Sequence, residues 1–239
     1  MTGALYGPDL AEIQATAYGG HVEASRQGVL NRLRAGGIRT GRVVDLGCGA
    51  GDWLAHLDAA GYDAVGVEPS PDLCDHARRR APGARVACAR AEDADLTGAR
   101  AVTALGEVFN YLPPAGRTLP LRALFRRIAR ALPSGGLLLF DLIVQGRPSL
   151  DRRLWAEGRD WLLAVDFQDG GDRGERRITV FREVDGGWRR SDECHRIRIP
   201  ATARVLEDLR AAGFAAIVRG RWHEAPLLPR RRAFIARKR

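Results

Sequence analysis

The stretch Val43-Val44-Asp45-Leu46-Gly47-Cys48-Gly49-Ala50-Gly51-Asp52 sets three glycines at alternate positions behind a hydrophobic run that carries an acid. Glycine lets a ligand approach the main chain closely, and amides at a helix start present donors and a favourable dipole to polar groups. A dinucleotide fingerprint needs G-x-G-x-x-G, and counting from Gly47 puts Asp52 where its third glycine belongs. A carboxylate beside a pyrophosphate repels it, so this turn suits a ligand with a cationic or neutral end. A second acid, Glu68, closes the apolar run Ala64–Val67 and follows Gly51 by 17 residues. A carboxylate at the tip of a second strand can accept both hydroxyls of a ribose.

Acid–base chemistry has its candidates further along. On a strand predicted from Trp188 to Ile199, alternation puts Glu193, His195, Ile197 and Ile199 on one face. The isoleucines favour burial of that face. Histidine supplies a base near neutral pH, and a satisfied structural pair at a sheet edge fits the same pattern. His223, between Trp222 and Glu224, is a second candidate base; His21, His56 and His76 fall at surface positions of helices.

The elements that must position these residues alternate. Apolar runs at Val43–Leu46, Ala64–Val67, Arg85–Ala87, Ala101–Leu105 and Leu137–Val144 are separated by helical patterns at 52–60, 71–80 and 119–132. This is the signature of a parallel sheet with crossover helices. Residues 9–35 read as helical with a break at Gly19-Gly20. Residues 160–199 read as three extended stretches, the last two joined at Asp185-Gly186-Gly187, a hairpin signal. A helix at 201–212 and strands at Phe214–Val218 and Ala233–Ala236 complete the chain. The aromatics Trp155, Trp161, Phe167, Phe181 and Trp188 crowd one segment, where they either wall an apolar pocket or pack a small sheet.

Acid followed by G-x-G-x-G after a strand resembles the first motif of class I S-adenosylmethionine-dependent methyltransferases, and the likeness continues in order along the chain. Tyr62–Ser70, ending its strand in Glu68-Pro69, resembles the second motif. Ala89-Arg90-Ala91-Glu92-Asp93 resembles the segment that edges the adenine, with Arg90 where an acid is usual, so that contact falls to Glu92 or Asp93. Leu132-Pro133-Ser134-Gly135-Gly136 resembles the turn before the fifth strand.

The resemblance, to bacterial small-molecule members, implies an α/β Rossmann-like doubly wound sheet of about seven strands. It divides one domain, 1–239, into an N-terminal helical lid (1–41), a cofactor-binding core (42–144), an antiparallel substrate-side insert (145–200) and a C-terminal helix and strands (201–239). It implies S-adenosyl-L-methionine as cofactor and S-adenosyl-L-homocysteine as product. Carried over residue by residue, the cofactor contacts are Asp45, Gly47, Cys48, Gly49, Gly51, Glu68, Pro69, Ala91, Glu92, Gly106 and Glu107, with Glu107 by the sulfonium end.

Tyr6 and Tyr18 would sit in the lid. Asn110 and Tyr111, after the fourth strand, either orient the acceptor or cap the next helix. The tetrapeptide Asn/Asp-Pro-Pro-Tyr/Phe of enzymes that methylate amino groups on bases or glutamine is missing, although Asn110-Tyr111 precedes Pro113-Pro114. The implied reaction moves a methyl group to an O or N atom of a small organic molecule entering between lid and insert, with Glu193 and His195 as acid–base residues where a proton must leave.

Composition narrows the alternatives. The chain has 239 residues, 45% hydrophobic and 28% charged, which is ordinary globular composition. Of 38 basic residues only Lys238 is lysine, and the formal net charge is +9. Residues 151–239 hold 21 bases against 14 acids, six of the bases between Arg230 and Arg239, which reads as a solvated basic end. The two competing functions are a nucleic-acid methyltransferase using that basic third and a non-catalytic S-adenosylmethionine-binding protein. A nucleic-acid partner is not expected, since no appended binding module or aromatic-rich basic surface accompanies the charge. The cysteines (Cys48, Cys74, Cys88, Cys194) form no C-x-x-C, so neither a metal site nor a redox pair is expected. With no apolar run of spanning length and no signal-like N-terminus, the expectation is a cytoplasmic protein without membrane contact.

Overall fold

The structure is a computed structural model that describes residues 5–18, 20–112, 120–222 and 226–239. His223 lies outside the described residues. The chain begins with helices α1 (Pro8–Ala17) and α2 (Gly20–Ala35), so the break falls at the paired glycines. Next come β1 (Arg42–Leu46), α3 (Asp52–Ala59), β2 (Asp63–Glu68), α4 (Pro71–Arg80), β3 (Arg85–Cys88), β4 (Ala99–Ala104), α5 (Leu121–Ala131) and β5 (Leu137–Ile143). Four strands follow, β6 (Arg152–Glu157), β7 (Trp161–Asp169), β8 (Arg173–Val184) and β9 (Gly187–Arg198), then α6 (Thr202–Ala211), β10 (Phe214–Arg219) and β11 (Arg231–Lys238).

Seven strands form one sheet in the order β10-β11-β5-β4-β1-β2-β3, in which only β11 runs antiparallel to its neighbours. β5, Leu-Leu-Leu-Phe-Asp-Leu-Ile, is buried along its whole length, as expected of a strand covered on both faces. α5 shows how a helix is told which way to face. Leu121, Leu124, Phe125 and Ile128 enter the core on one side of the sheet with Val205 and Leu209 of α6, while Arg122, Arg126 and Arg130 stay in solvent. On the other side, Val29 and Leu33 of α2 and Trp53, Leu54 and Leu57 of α3 cover the sheet. The chain leaves β1 toward β2 on one hand and finds β4 on the other, so a crevice opens beyond the carboxyl ends of β1 and β4.

β6 to β9 make a second, antiparallel sheet in sequential order. The β8–β9 turn has positive φ at Asp185 (52°) and Gly186 (78°), the twist that matches a two-residue hairpin. β6 is a strand beyond the three expected, and β11 extends well past Ala233–Ala236 at both ends. Arg231 can lie in a strand facing the interior because acids await its guanidinium. Cys74 of α4 and Cys88 of β3 are joined as a disulfide with Cα atoms 6.1 Å apart, a pairing that no C-x-x-C spacing announces.

α1 bridges the two sheets. Leu10 and Ile13 pack on Leu163, Ile178 and Val180 of the insert, while Ala11 and Ala15 pack on Ala50 and Leu73 of the core. Among the described residues no helix is long and apolar enough to cross a membrane.

Candidate active site

The floor of the crevice is the β1–α3 turn. Gly49 has φ of +55° and nothing within 4 Å of where a Cβ would stand, so its backbone faces open space. Gly51 serves packing instead, since a Cβ there would meet Cα of Ala77 at 2.8 Å. Gly49 N–H donates to Oε2 of Glu68 at 3.0 Å and Ser70 N–H donates to Oε1 at 3.0 Å. Each carboxylate oxygen thus keeps lone-pair capacity for a ligand donor. Asp45, at the end of β1, accepts a 2.7 Å bond from Thr103, whose hydroxyl accepts one from the Trp53 indole at 3.1 Å.

Both acids are buried, at 2% and 5% exposure. Burial raises the Asp45 carboxyl to about 7, aided by the nearby Glu68 charge and opposed by the Thr103 bond. Burial also raises Glu68, against its two amide donors. Two desolvated carboxylates with no cationic side chain bonded to them among the described residues favour a ligand that brings positive charge and hydroxyls. Burial pushes the Cys48 thiol well above its ordinary value, so Cys48 lines the cavity as an inert group.

A cavity of about 720 Å³ stands over this floor. It is lined by Asp45, Gly47, Cys48, Gly49, Glu68 and Pro69, by Ala91 and Glu92 after β3, and by Gly106 after β4. The lid residues Tyr6 and Tyr18, and Tyr111, also line it. These are twelve of the residues singled out from the sequence, and the fold brings them together. Arg90 lines the cavity beside Glu92 and pairs with it at 2.9 Å. The aromatic walls are Tyr6, Tyr18, Trp53, Phe109 and Tyr111, so of the two readings open for the insert's aromatics the pocket wall is not the one taken. Trp155 (71% exposed) and Trp188 (60%) lie on the insert's outer side, Phe167 packs with Ile143, Ile197 and Ile199, and Trp161 packs behind the lid. Of the insert's residues, Arg198 alone lines the cavity.

Five singled-out residues lie outside the lining. Gly51 supports α4, as above. Asn110 is fully buried, donating to the carbonyls of Ile143 (2.8 Å) and Arg198 (2.7 Å) and accepting from Ile143 N–H (2.9 Å), so it braces the loop after β4. Glu107 turns its carboxylate away from the cavity into Arg176 and Arg231, at 2.8 Å each. Burial by itself would raise this acid, yet the two guanidinium charges hold it at about 2. Asp141 of β5 accepts from Gly106 N–H (3.1 Å) and Glu107 N–H (2.8 Å), fixing the turn in which Glu107 holds a φ of 61°.

Glu193 and His195 face the lid. Glu193 accepts the N–H of Tyr6 and of Gly7, both at 2.8 Å, and bonds Nε2 of His195 at 2.6 Å. His195 is fully buried between the rings of Tyr6 (5.0 Å) and Tyr111 (5.7 Å). The hydroxyls of Tyr6 and Tyr111 lie 2.8 Å apart, and Arg176 donates to Tyr111 at 3.1 Å. With one phenolic proton spent on that mutual bond, one remains for the pair to donate to a ligand. Burial raises both phenols, so they act as hydrogen-bond donors near neutral pH.

The sequence reading did not single out Ser70, Thr103 or Arg176 for the site. Ser70 had a usable signal, a serine just before Pro71 at a helix start. Arg176 had none, being one arginine among many.

A methyltransferase-domain family model matches residues 18–184. The chain belongs to that family, and its seven-stranded sheet has the fold of class I S-adenosylmethionine-dependent methyltransferases. Similar solved structures include an S-adenosylmethionine-dependent methyltransferase from Clostridium acetobutylicum ATCC 824, with 16% identity, 95% of this chain and 97% of that one covered, and a TM-score of 0.80. The sugar N-methyltransferase KedS8 from Streptoalloteichus sp ATCC 53650 has 24% identity, coverage of 100% and 98%, and a TM-score of 0.80. DesVI of Streptomyces venezuelae has 21% identity, coverage of 98% and 100%, and a TM-score of 0.79. No curated protein sequence matches the chain.

Proposed function

We propose that this enzyme transfers the methyl group of S-adenosylmethionine to an O or N atom of a small organic acceptor held under the N-terminal lid. The observation that carries the reading is the pair of buried carboxylates, Asp45 and Glu68, on the floor of one roofed cavity at the carboxyl ends of β1 and β2. The similar structure described as a sugar N-methyltransferase supports a small-molecule acceptor and an amine nitrogen among the candidates.

When bound, the cofactor would supply a methyl group activated by positively charged sulfur to an acceptor lone pair. Glu68 is positioned to take the ribose hydroxyls with the lone pairs that Gly49 and Ser70 leave open. Asp45 offers its carboxylate to the cationic amino-acid end, oriented by Thr103. Ala91 and Glu92 edge the adenine side, and Gly106, Asn110 and Glu107 set the loop after β4, two of them from behind. The tyrosine pair and the lid hold the acceptor and exclude water, which is the protein's main contribution to a displacement whose leaving group is already activated. With His195 outside the cavity lining, proton loss from the acceptor runs to solvent.

Isothermal titration calorimetry with S-adenosylhomocysteine tests the reading. Binding to the wild type that is lost in Asp45→Ala is expected, and a wild type that takes up no ligand removes it. An acceptor screen of amino sugars and phenols, followed by mass spectrometry for a 14 Da gain, then identifies the methylated atom's class.

A further inference from the structure

The pair singled out as acid and base sits where a different task is visible. Glu193, near the middle of β9, reaches 186 residues back in the chain to the Gly7 amide and one further to that of Tyr6. Gly7 is the N-cap residue of α1 and carries no capping side chain, so Glu193 caps this helix from another element and puts a negative charge at its N-terminus. On the other side of the same residue, the Tyr6 carbonyl accepts the Ser70 hydroxyl at 2.7 Å, and Ser70 N–H is bound to Glu68. Tyr6 is thereby held by its N–H, its carbonyl and its hydroxyl at once, with φ at +56°, a backbone region that tyrosine rarely adopts. A backbone so placed persists only where its surroundings over-determine it.

His195 completes the clasp. A carboxylate only accepts, so the 2.6 Å contact to Glu193 requires the proton on Nε2 of His195, which makes this nitrogen unavailable as a base. The buried Nδ1 has no hydrogen-bond partner among the described residues, and the ring is packed between Tyr6 and Tyr111. A second clasp lies along the same lid, where Arg189 of β9 grips Asp9 of α1.

We infer that Glu193, oriented by His195, is a positioning residue: it latches the lid of residues 5–18 to the insert and so sets Tyr6 over the cofactor. This inference rests on the methyltransferase reading of the same cavity. A continuous chain joins the proposed ribose carboxylate to the latch, running from Glu68 through Ser70 and Tyr6 to Glu193. Cofactor entry and product exit then require Glu193 to release two amides, so the latch governs cofactor affinity and exchange in preference to the methyl-transfer step.

The experiment compares wild type, Glu193→Ala and Glu193→Gln, with S-adenosylhomocysteine as the binding probe. Glu193→Ala, which removes both amide bonds of the latch, is expected to weaken that ligand by at least about tenfold. It should raise KM for S-adenosylmethionine alike, leave kcat at saturation within about threefold, and speed amide exchange across residues 5–17. Glu193→Gln, which keeps one acceptor oxygen, should restore most of the affinity. A fall in kcat of about 100-fold or more with unchanged cofactor KM and a lost pH limb overturns the latch in favour of general-base catalysis. Unchanged exchange in residues 5–17 overturns it as well. If Glu193→Ala does not fold, Arg189→Gln is the second variant, expected to raise lid exchange and cofactor KM in the same direction; wild-type values in both sink the inference. Ligand binding by wild type is measured first, so that its absence falls on the functional reading and its presence isolates the latch.

Discussion

At the scale of single residues, the two floor acids make the most direct predictions. Asp45 stays protonated up to about 7 in the folded apoprotein, against an ordinary value of 3.8. Between those values the folded state binds more protons than the unfolded state. Apoprotein stability therefore falls as pH rises from about 4 to about 7 and is level above. A cationic cofactor end favours the ionised carboxylate, so affinity moves the opposite way and grows as pH rises through about 7. Calorimetry at pH 6 in two buffers of different ionisation enthalpy should show proton release on binding that fades by pH 8; uptake or no release would detach Asp45 from the cofactor. Glu68→Ala should cost binding about 1–3 kcal/mol through lost hydrogen bonds to a charged acceptor, and an unchanged dissociation constant would reassign that residue. Both acids were legible in the sequence because one ends an apolar run and the other sits inside one just before alternate glycines. What could not be read was where a side chain turns after its Cα is placed. Glu107 shares the cavity's loop, but two arginines far off in sequence draw its carboxylate away.

At the scale of elements, that same ion group ties the loop after β4 to β8 through Arg176, to β11 through Arg231 and to β5 through Asp141. Replacing Glu107 by Gln leaves two buried guanidinium groups short of a counter-charge. Losing one partner of a buried pair costs about 3–5 kcal/mol, so chemical denaturation should show a loss of that order, together with weaker cofactor binding as the Gly106 turn loosens. A loss under about 1 kcal/mol would mean that water or other groups compensate. The wild type should also soften in acid: Glu107 lies at about 2 when folded, below its ordinary 4.5, so its contribution is intact above that ordinary value and disappears as pH falls toward 2. The parallel strands were legible from buried apolar runs and turn glycines, and the β8–β9 hairpin from Asp185-Gly186-Gly187. β6 escaped because an edge strand of Arg152-Arg153-Leu154-Trp155-Ala156-Glu157 turns its tryptophan outward and offers little apolar alternation. The basic end misled for a related reason. Arg230 and Arg231 read as solvated, yet one is paired with Asp169 and the other with Glu107 inside the fold.

At the scale of the whole molecule, the cavity exists only when three parts of the chain are assembled. Its floor comes from β1, β2 and β4, its roof from α1 and the segment before it, and the roof is held by β9. No part supplies the site alone, so a ligand that binds this cavity binds the native assembly and not the unfolded chain. At a ligand concentration about 100 times the dissociation constant, such linkage adds about 2.7 kcal/mol of stability. For a chain of this size each kcal/mol moves the midpoint by roughly 2–4 °C, so S-adenosylhomocysteine should raise Tm by roughly 5–11 °C. Glu68→Ala, measured at the same ligand concentration, should show a smaller rise because its dissociation constant is higher. The comparison also separates two origins of ligand effects. If the lid only closes over a site already complete in the core, a variant lacking residues 1–18 should keep nearly the full shift. With Tyr6, Tyr18 and the helix packed on Leu163, Ile178 and Val180 as part of the walls, most of the shift should vanish in that variant while the core still melts cooperatively. A full-sized shift without the lid would place the binding energy in the glycine turn and its two acids alone.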